Sequence, residues 1–215
     1  MPEVEVRRCR LCLTTPHDID PDELAPLVDD ALAGGDVASV IIGGEGDRLQ
    51  RLAEAVVPRA QARGAAALVQ NDTRIAGRAR ADGVHVDSGL SDLRAAVEKL
   101  RPKLIVGAGG FRTRHDAMAA GEANPDYLFF GRLDGDTGDD IFDKALELAA
   151  WWTSLFVIPA IVMGGRSIAS VEAAARAGIE FVALSRAVFD DPRGPAAAVD
   201  EANRRLARVA EEPPA

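Results

Sequence analysis

Lysine is nearly missing from this chain: Lys99, Lys103 and Lys144 are the only lysines among 25 basic residues. Against these stand 34 carboxylates, for a formal charge of −9. A surface of that sign excludes broad contact with nucleic acid or an anionic membrane. Cysteine is equally scarce, with Cys9 and Cys12 alone in a C-x-x-C spacing. No second C-x-x-C and no nearby histidine pair completes a metal site, and residues three apart on a strand face opposite sides. The pair therefore reads as two buried free thiols in a reducing cytoplasm. No hydrophobic run approaches the roughly 20 residues that a spanning helix needs. The opening MPEVEVRRCRLCL lacks the apolar stretch of a secretory signal, so a cytoplasmic location is expected.

What is present is alternation. The 215 residues, 47% of them hydrophobic, suit one domain. Short apolar runs read as strands at Cys9–Leu13, Ala38–Ile42, Ala66–Val69, Gly83–Val86, Leu104–Val106, Tyr127–Phe130, Ala160–Met163 and Phe181–Leu184. Between them, helical periodicity marks Asp22–Ala33, Leu49–Arg63, Ser91–Leu100, Asp140–Trp152 and Ile168–Ala177, with a last helix at Pro195–Ala210. Gly34-Gly35, Gly64 and Gly178 stand where helices need a C-cap. Eight strand–helix units predict a (β/α)8 barrel over residues 1–210, with the EEPPA tail of 211–215 disordered. A doubly wound sheet would place glycines in its first turn; here that turn reads TTPHDIDP.

In such a barrel the ligand meets the loops after the strands. Two chemistries converge there. VMGGRS sets Gly164 and Gly165 after the seventh strand, and ALSRAVF sets Ser185 after the eighth. Glycine lets backbone N–H groups approach an anion, and a following helix start adds its dipole. These three residues therefore form a candidate phosphate cradle; the alternative is a tight turn and an ordinary N-cap. The second feature is a ring of carboxylates, Glu45, Asp47, Asp72 and Asp87. Hard oxygens beside a phosphate suit Mg²⁺, although aspartate is also a preferred N-cap. His85 reads as barrel packing, His115 as a solvated helix residue, and the Trp151-Trp152 and Phe156 group as core or as a contact between copies. A homo-oligomer is left open.

The Asn71-Asp72 pair, the DGVH at Asp82–His85, the DYLFFG at Asp126–Gly131, and the run IPAIVMGG through ALSRAVF together resemble the thiamine-phosphate synthases and their thiazole-tautomerase relatives. The resemblance runs in order through most of the chain. It implies coupling of a hydroxymethylpyrimidine diphosphate to a thiazole phosphate, with Mg²⁺ neutralising the departing pyrophosphate. Carried over, Asp72 is a metal ligand; Asp87 or Asp92 could supply a second only with a different loop. Asn71 then holds the diphosphate, and Gly164, Gly165 and Ser185 hold the thiazole phosphate.

The departures concern charge. Where the family carries Gln-x-Arg-x-Lys after the second strand, this chain reads VIIGGEGD. The family's second metal aspartate falls on Leu90, its serine after the fifth strand on Gly109, and its Thr-x-Thr-Lys loop on LDGDTGDD. Three functions remain: a synthase using Arg48, Arg132 or Arg186 as replacement cations, an isomerase on a phosphorylated heterocycle, or a barrel that binds without turnover. Arg132 and His17 are the candidate catalytic residues, His17 also reading as a plain surface turn.

Overall fold

The computed structural model describes residues 8–212. Eight parallel strands close into a barrel in chain order. They are β1 (Arg10–Thr14), β2 (Ser39–Ile42), β3 (Ala66–Gln70), β4 (Gly83–Val86), β5 (Ile105–Ala108), β6 (Tyr127–Phe130), β7 (Ala160–Met163) and β8 (Phe181–Leu184). Around them run α1 (Pro21–Ala33), α2 (Gly46–Ala62), α3 (Thr73–Ala79), α4 (Leu90–Leu100), α5 (Arg114–Glu122), α6 (Asp143–Leu155), α7 (Val171–Arg176), α8 (Arg186–Phe189) and α9 (Pro195–Glu211). Among the described residues no helix is long and apolar enough to cross a membrane.

Strand alternation divides the core in two. Cys12, Ile41, Leu68, Tyr127, Phe129, Ile161 and Met163 fill the barrel. Their neighbours Leu11, Val40, Val69, Phe130 and Val162 face the helices. Cys9 joins that outer layer and Cys12 the inner one, both free thiols. Burial pushes the Cys9 thiol up to about 12 and Cys12 to about 11, so neither ionises near neutrality. Inside, large side chains face small ones: a methyl at Gly107 would stand 1.9 Å from Cζ of Tyr127, its partner on β6.

Helices α3 and α5 follow from the strand–helix alternation, and His115 is exposed on α5 as expected, but periodicity marks the bounds of neither. Their inward stripes consist of Ile75 and Ala76, and of Ala117 and Ala120, too little large apolar surface to show a period. Helix α6 starts at Asp143 rather than Asp140, because Asp139 is held by the β7 loop. At the C-terminus α9 runs through Glu211, and Glu212 pairs with Arg176 at 3.0 Å. The barrel thus continues past Ala210, and of the expected tail 213–215 lies outside the described residues. Trp152 is fully buried, stacked on Phe156 at 3.9 Å, with its indole N–H on the Ile158 carbonyl at 2.8 Å.

Candidate functional site

Asn71 leaves β3 with φ of 55°, the left-handed region that asparagine tolerates better than most residues. This turn aims its side chain at the end of β4. Its Nδ2 donates to Asp87 Oδ1 at 2.6 Å, and the Asp87 N–H donates back to Asn71 Oδ1 at 3.0 Å. Gln70 Nε2 donates to the other Asp87 oxygen at 2.9 Å, while Gln70 Oε1 accepts from Gly44 N–H at 3.2 Å. One polar chain therefore ties the ends of β2, β3 and β4. Gln70 was not among the expected site residues. The signal was parity: two positions beyond inward-facing Leu68, its side chain faces the barrel mouth.

Asp72 plays a different part. Its Oδ1 accepts from the N–H groups of Arg74 and Ile75, both at 2.8 Å, and so caps α3. Both Asp87 oxygens already accept from amides. Among the described residues no group of three or more His, Cys, Asp or Glu side chains could hold a metal. Asp72 and Asp87 are thus two separate carboxylates on this side of the mouth, each engaged with donors of the chain itself. Glu45 is the N-cap of α2 without a side-chain cap bond, and Asp47 lies in its first turn.

Beneath this corner His85 is buried, with Nδ1 3.0 Å from the Tyr127 hydroxyl and its ring edge-on to Phe129. Burial lowers its pKa to about 4, against an opposing pull from Asp87. It is thus neutral at pH 7, filling the barrel as expected. The unfolded chain binds a proton near pH 6.5 that the folded chain refuses until about 4. Stability from this group is present above 6.5 and falls as pH drops toward 4, by roughly 3 kcal/mol in all. His85→Gln, which cannot titrate, should lose less over that window in urea melts. A parallel decline in both proteins would show that His85 is not responsible.

Across the mouth, the loop after β6 lies over the loops after β7 and β8. Gly164 N–H extends the ladder to the Ala183 carbonyl at 2.8 Å, and Gly165 N–H donates to Ser170 Oγ at 3.0 Å. The glycines' own donors are therefore engaged; the next ones along take part instead. Arg166 N–H meets the Gly138 carbonyl at 2.7 Å, Ser167 N–H the Asp139 carbonyl at 3.1 Å, and Arg186 N–H Asp136 Oδ2 at 2.6 Å. Gly165 matters for space: a methyl there would stand 2.1 Å from the Asp139 carbonyl oxygen. Ser185 is buried at the end of β8 and makes no cap bond.

The three arginines named as replacement cations are all engaged. Arg48 donates to the carbonyls of Pro16 at 3.1 Å and Ile19 at 2.5 Å. Arg132 forms a fork with Asp134 at 3.0 Å, and Arg186 pairs with Asp18 and with Asp190 at 3.3 Å. Two other cations, Arg112 and Lys144, form no ion pair among the described residues and line a cavity of about 840 Å³ with His85, Asp87, Phe129 and Met163. A second cavity of about 530 Å³ lies over Gly44, Glu45, Arg48, Gln70, Asn71 and Asp72. A third of about 420 Å³ lies over Asp136, Arg166, Ser185 and Arg186. Exposed His17 sits at the rim shared by the second and third.

A thiamine-phosphate synthase from Rhodospirillum centenum is 34% identical over 200 residues, spanning 91% of this chain and 97% of its own. One from Hyphomonas neptunium is 32% identical over 201 residues, 89% of this chain and 91% of its own. A solved thiamine phosphate pyrophosphorylase from Pyrococcus furiosus superposes with a TM-score of 0.76 at 21% identity, covering 95% of this chain and 98% of that one. That identity speaks for the fold alone. The sequence profile described as thiamine monophosphate synthase matches residues 11–188. With a profile match over most of its length and relatives above 30% identity, the chain belongs to the thiamine monophosphate synthase family.

Proposed function

We propose that this barrel couples a hydroxymethylpyrimidine diphosphate to a thiazole phosphate in thiamine biosynthesis, at a rate limited by its acidic mouth. The thiazole phosphate takes the place between the β7 and β8 loops, near Gly164, Gly165 and Ser185. The observation that carries this is that the backbone N–H groups of Arg166, Ser167 and Arg186 each donate to an oxygen of the loop after β6, where Arg166, Ser185 and Arg186 line one cavity. Asn71 lies across the mouth on the diphosphate side, with Asp72 and Asp87 beside it. In the coupling step the methylene C–O bond breaks with its electron pair leaving on the diphosphate. The thiazole nitrogen lone pair then makes the new C–N bond, and no general base is required. Charge building on the leaving group calls for preorganised cations, and Arg112 and Lys144 are the unpaired ones facing the large cavity. Arg132, tied to Asp134, is the weaker candidate.

The acids at this rim favour a second reading, a phosphate-ligand barrel that binds without transfer or isomerises a bound thiazole with His17 as base. Thermal unfolding separates these. Thiazole phosphate at a hundred times its Kd should stabilise the protein by about 2.7 kcal/mol, and the unphosphorylated alcohol should not. Equal responses to the two would overturn the phosphate assignment. Stabilisation without pyrophosphate release would support the binding barrel.

A further inference from the structure

The anion place between the β7 and β8 loops is filled by the chain itself. Asp136 comes from the loop after β6, 50 residues before the Arg186 N–H that its Oδ2 accepts at 2.6 Å. Asp136 is only 6% exposed. Farther along the same loop the carbonyls of Gly138 and Asp139 accept from Arg166 and Ser167 N–H. Three oxygens from one short loop thus meet three N–H donors from two neighbouring loops.

We propose that Asp136 is an internal anion that competes with phosphate for these donors and so sets the affinity and charge preference of the site. This rests on the phosphate reading above. A neutral ligand cannot repay the three donors for losing the loop's oxygens, whereas a phosphate replaces all three. Expulsion is eased because burial raises the Asp136 carboxyl above its ordinary range, with the Arg186 N–H opposing. A desolvated carboxylate regains hydration when it leaves. The loop is also thinly anchored beyond these bonds: Gly135, Thr137, Gly138 and Asp139 are half-buried or exposed. At its ends Leu133 is held by its carbonyl on Thr14 Oγ1 at 3.0 Å, and Ile141 is buried in the outer core. Those two points define a segment that swings out while its ends stay in place.

The test is calorimetric titration with inorganic phosphate and with thiazole phosphate. Asp136→Ala removes the competing acceptor, and a hydrogen bond to a charged group is large enough that affinity should rise roughly tenfold or more. Asp136→Asn keeps an acceptor without the charge and should fall between Ala and wild type. It also serves if the alanine variant folds poorly. Hydrogen exchange on the wild-type protein gives an independent readout: phosphate should speed exchange across residues 134–140 while it slows elsewhere at the rim. Equal affinities in wild type and both variants would leave the cradle standing and overturn the competition. Absence of any phosphate binding in all three would overturn the phosphate reading, and the competition with it. Slower exchange across 134–140 on binding would show that the loop clamps the ligand rather than yields to it.

Discussion

Purified protein is expected to release pyrophosphate roughly 10²–10³-fold more slowly than a family member bearing the basic residues after β2 and β6. That is the cost of losing one well-placed group that stabilises charge developing in a transition state. The loop after β2 instead carries Glu45, exposed over the cavity that Gln70, Asn71 and Asp72 also line. Restoring charge at Gly44 is obstructed, since φ there is 137° and a side chain would meet Arg48 at 3.0 Å. Gly46 has open space but a φ of 54°, costing about 1–2 kcal/mol in any L-residue. Glu45 carries an ordinary extended backbone, φ −140°. Glu45→Arg therefore reverses the charge without strain, and kcat should rise severalfold in a steady-state assay. In the unmodified chain Lys144→Ala should lower kcat, because Lys144 faces the large cavity with no ion pair among the described residues, while Arg132→Ala should change little. Ordinary synthase turnover in the unmodified chain would show that Arg112 and Lys144 replace the missing cations in full.

Removal of the Trp152 indole should be the most damaging single truncation of the helical layer. The ring is fully buried, stacked on Phe156, adjoining Phe130 at 6.3 Å between centroids, and so close to α5 that a methyl at Gly121 would stand 2.6 Å from it. Trp152→Ala should cost about 3–5 kcal/mol. For a chain of this size that is roughly 6–20 °C of Tm. Trp152→Phe keeps a ring over Phe156 and loses the hydrogen bond to the Ile158 carbonyl, costing about 1 kcal/mol beyond the volume change. Trp151, half-buried under the Arg114 guanidinium at 4.9 Å, is a smaller loss. Calorimetric melting of the three variants decides the order. Trp152→Ala melting within about 2 °C of wild type would mean that the pocket between α5 and α6 is not packed as described.

The barrel was legible in the chain because its signals are local. Apolar runs such as YLFF and AIVM bound themselves, and their inward and outward faces follow from a period of two. What the sequence left vague was local as well: α3 and α5 show too few large apolar side chains for periodicity to bound them, and α6 begins late because Asp139 is drawn to another loop. The rim positions of Asn71, Asp72, Asp87, Gly164, Gly165 and Ser185 also followed from sequence, since a strand's end fixes what stands on the rim.

Partnership on that rim did not follow. Asp72 and Asp87 look alike as carboxylates after strands, yet one caps its own helix and the other accepts from Gln70 and Asn71 on the next strand. Arg132 and Arg186 look like free cations until their neighbours Asp134 and Asp18 are in place. Asp136 reads as one acid among several in an acidic loop, and only closure of the barrel carries it to the end of β8. Residue type, parity and strand order are properties of neighbours in the chain, so the sequence alone determined the barrel and where its mouth lies. The pairings between loops join residues far apart in the chain, 16 for Asn71 and Asp87, 17 for Gln70 and Asp87, 50 for Asp136 and Arg186, and 168 for Asp18 and Arg186, and the closed barrel alone decided those.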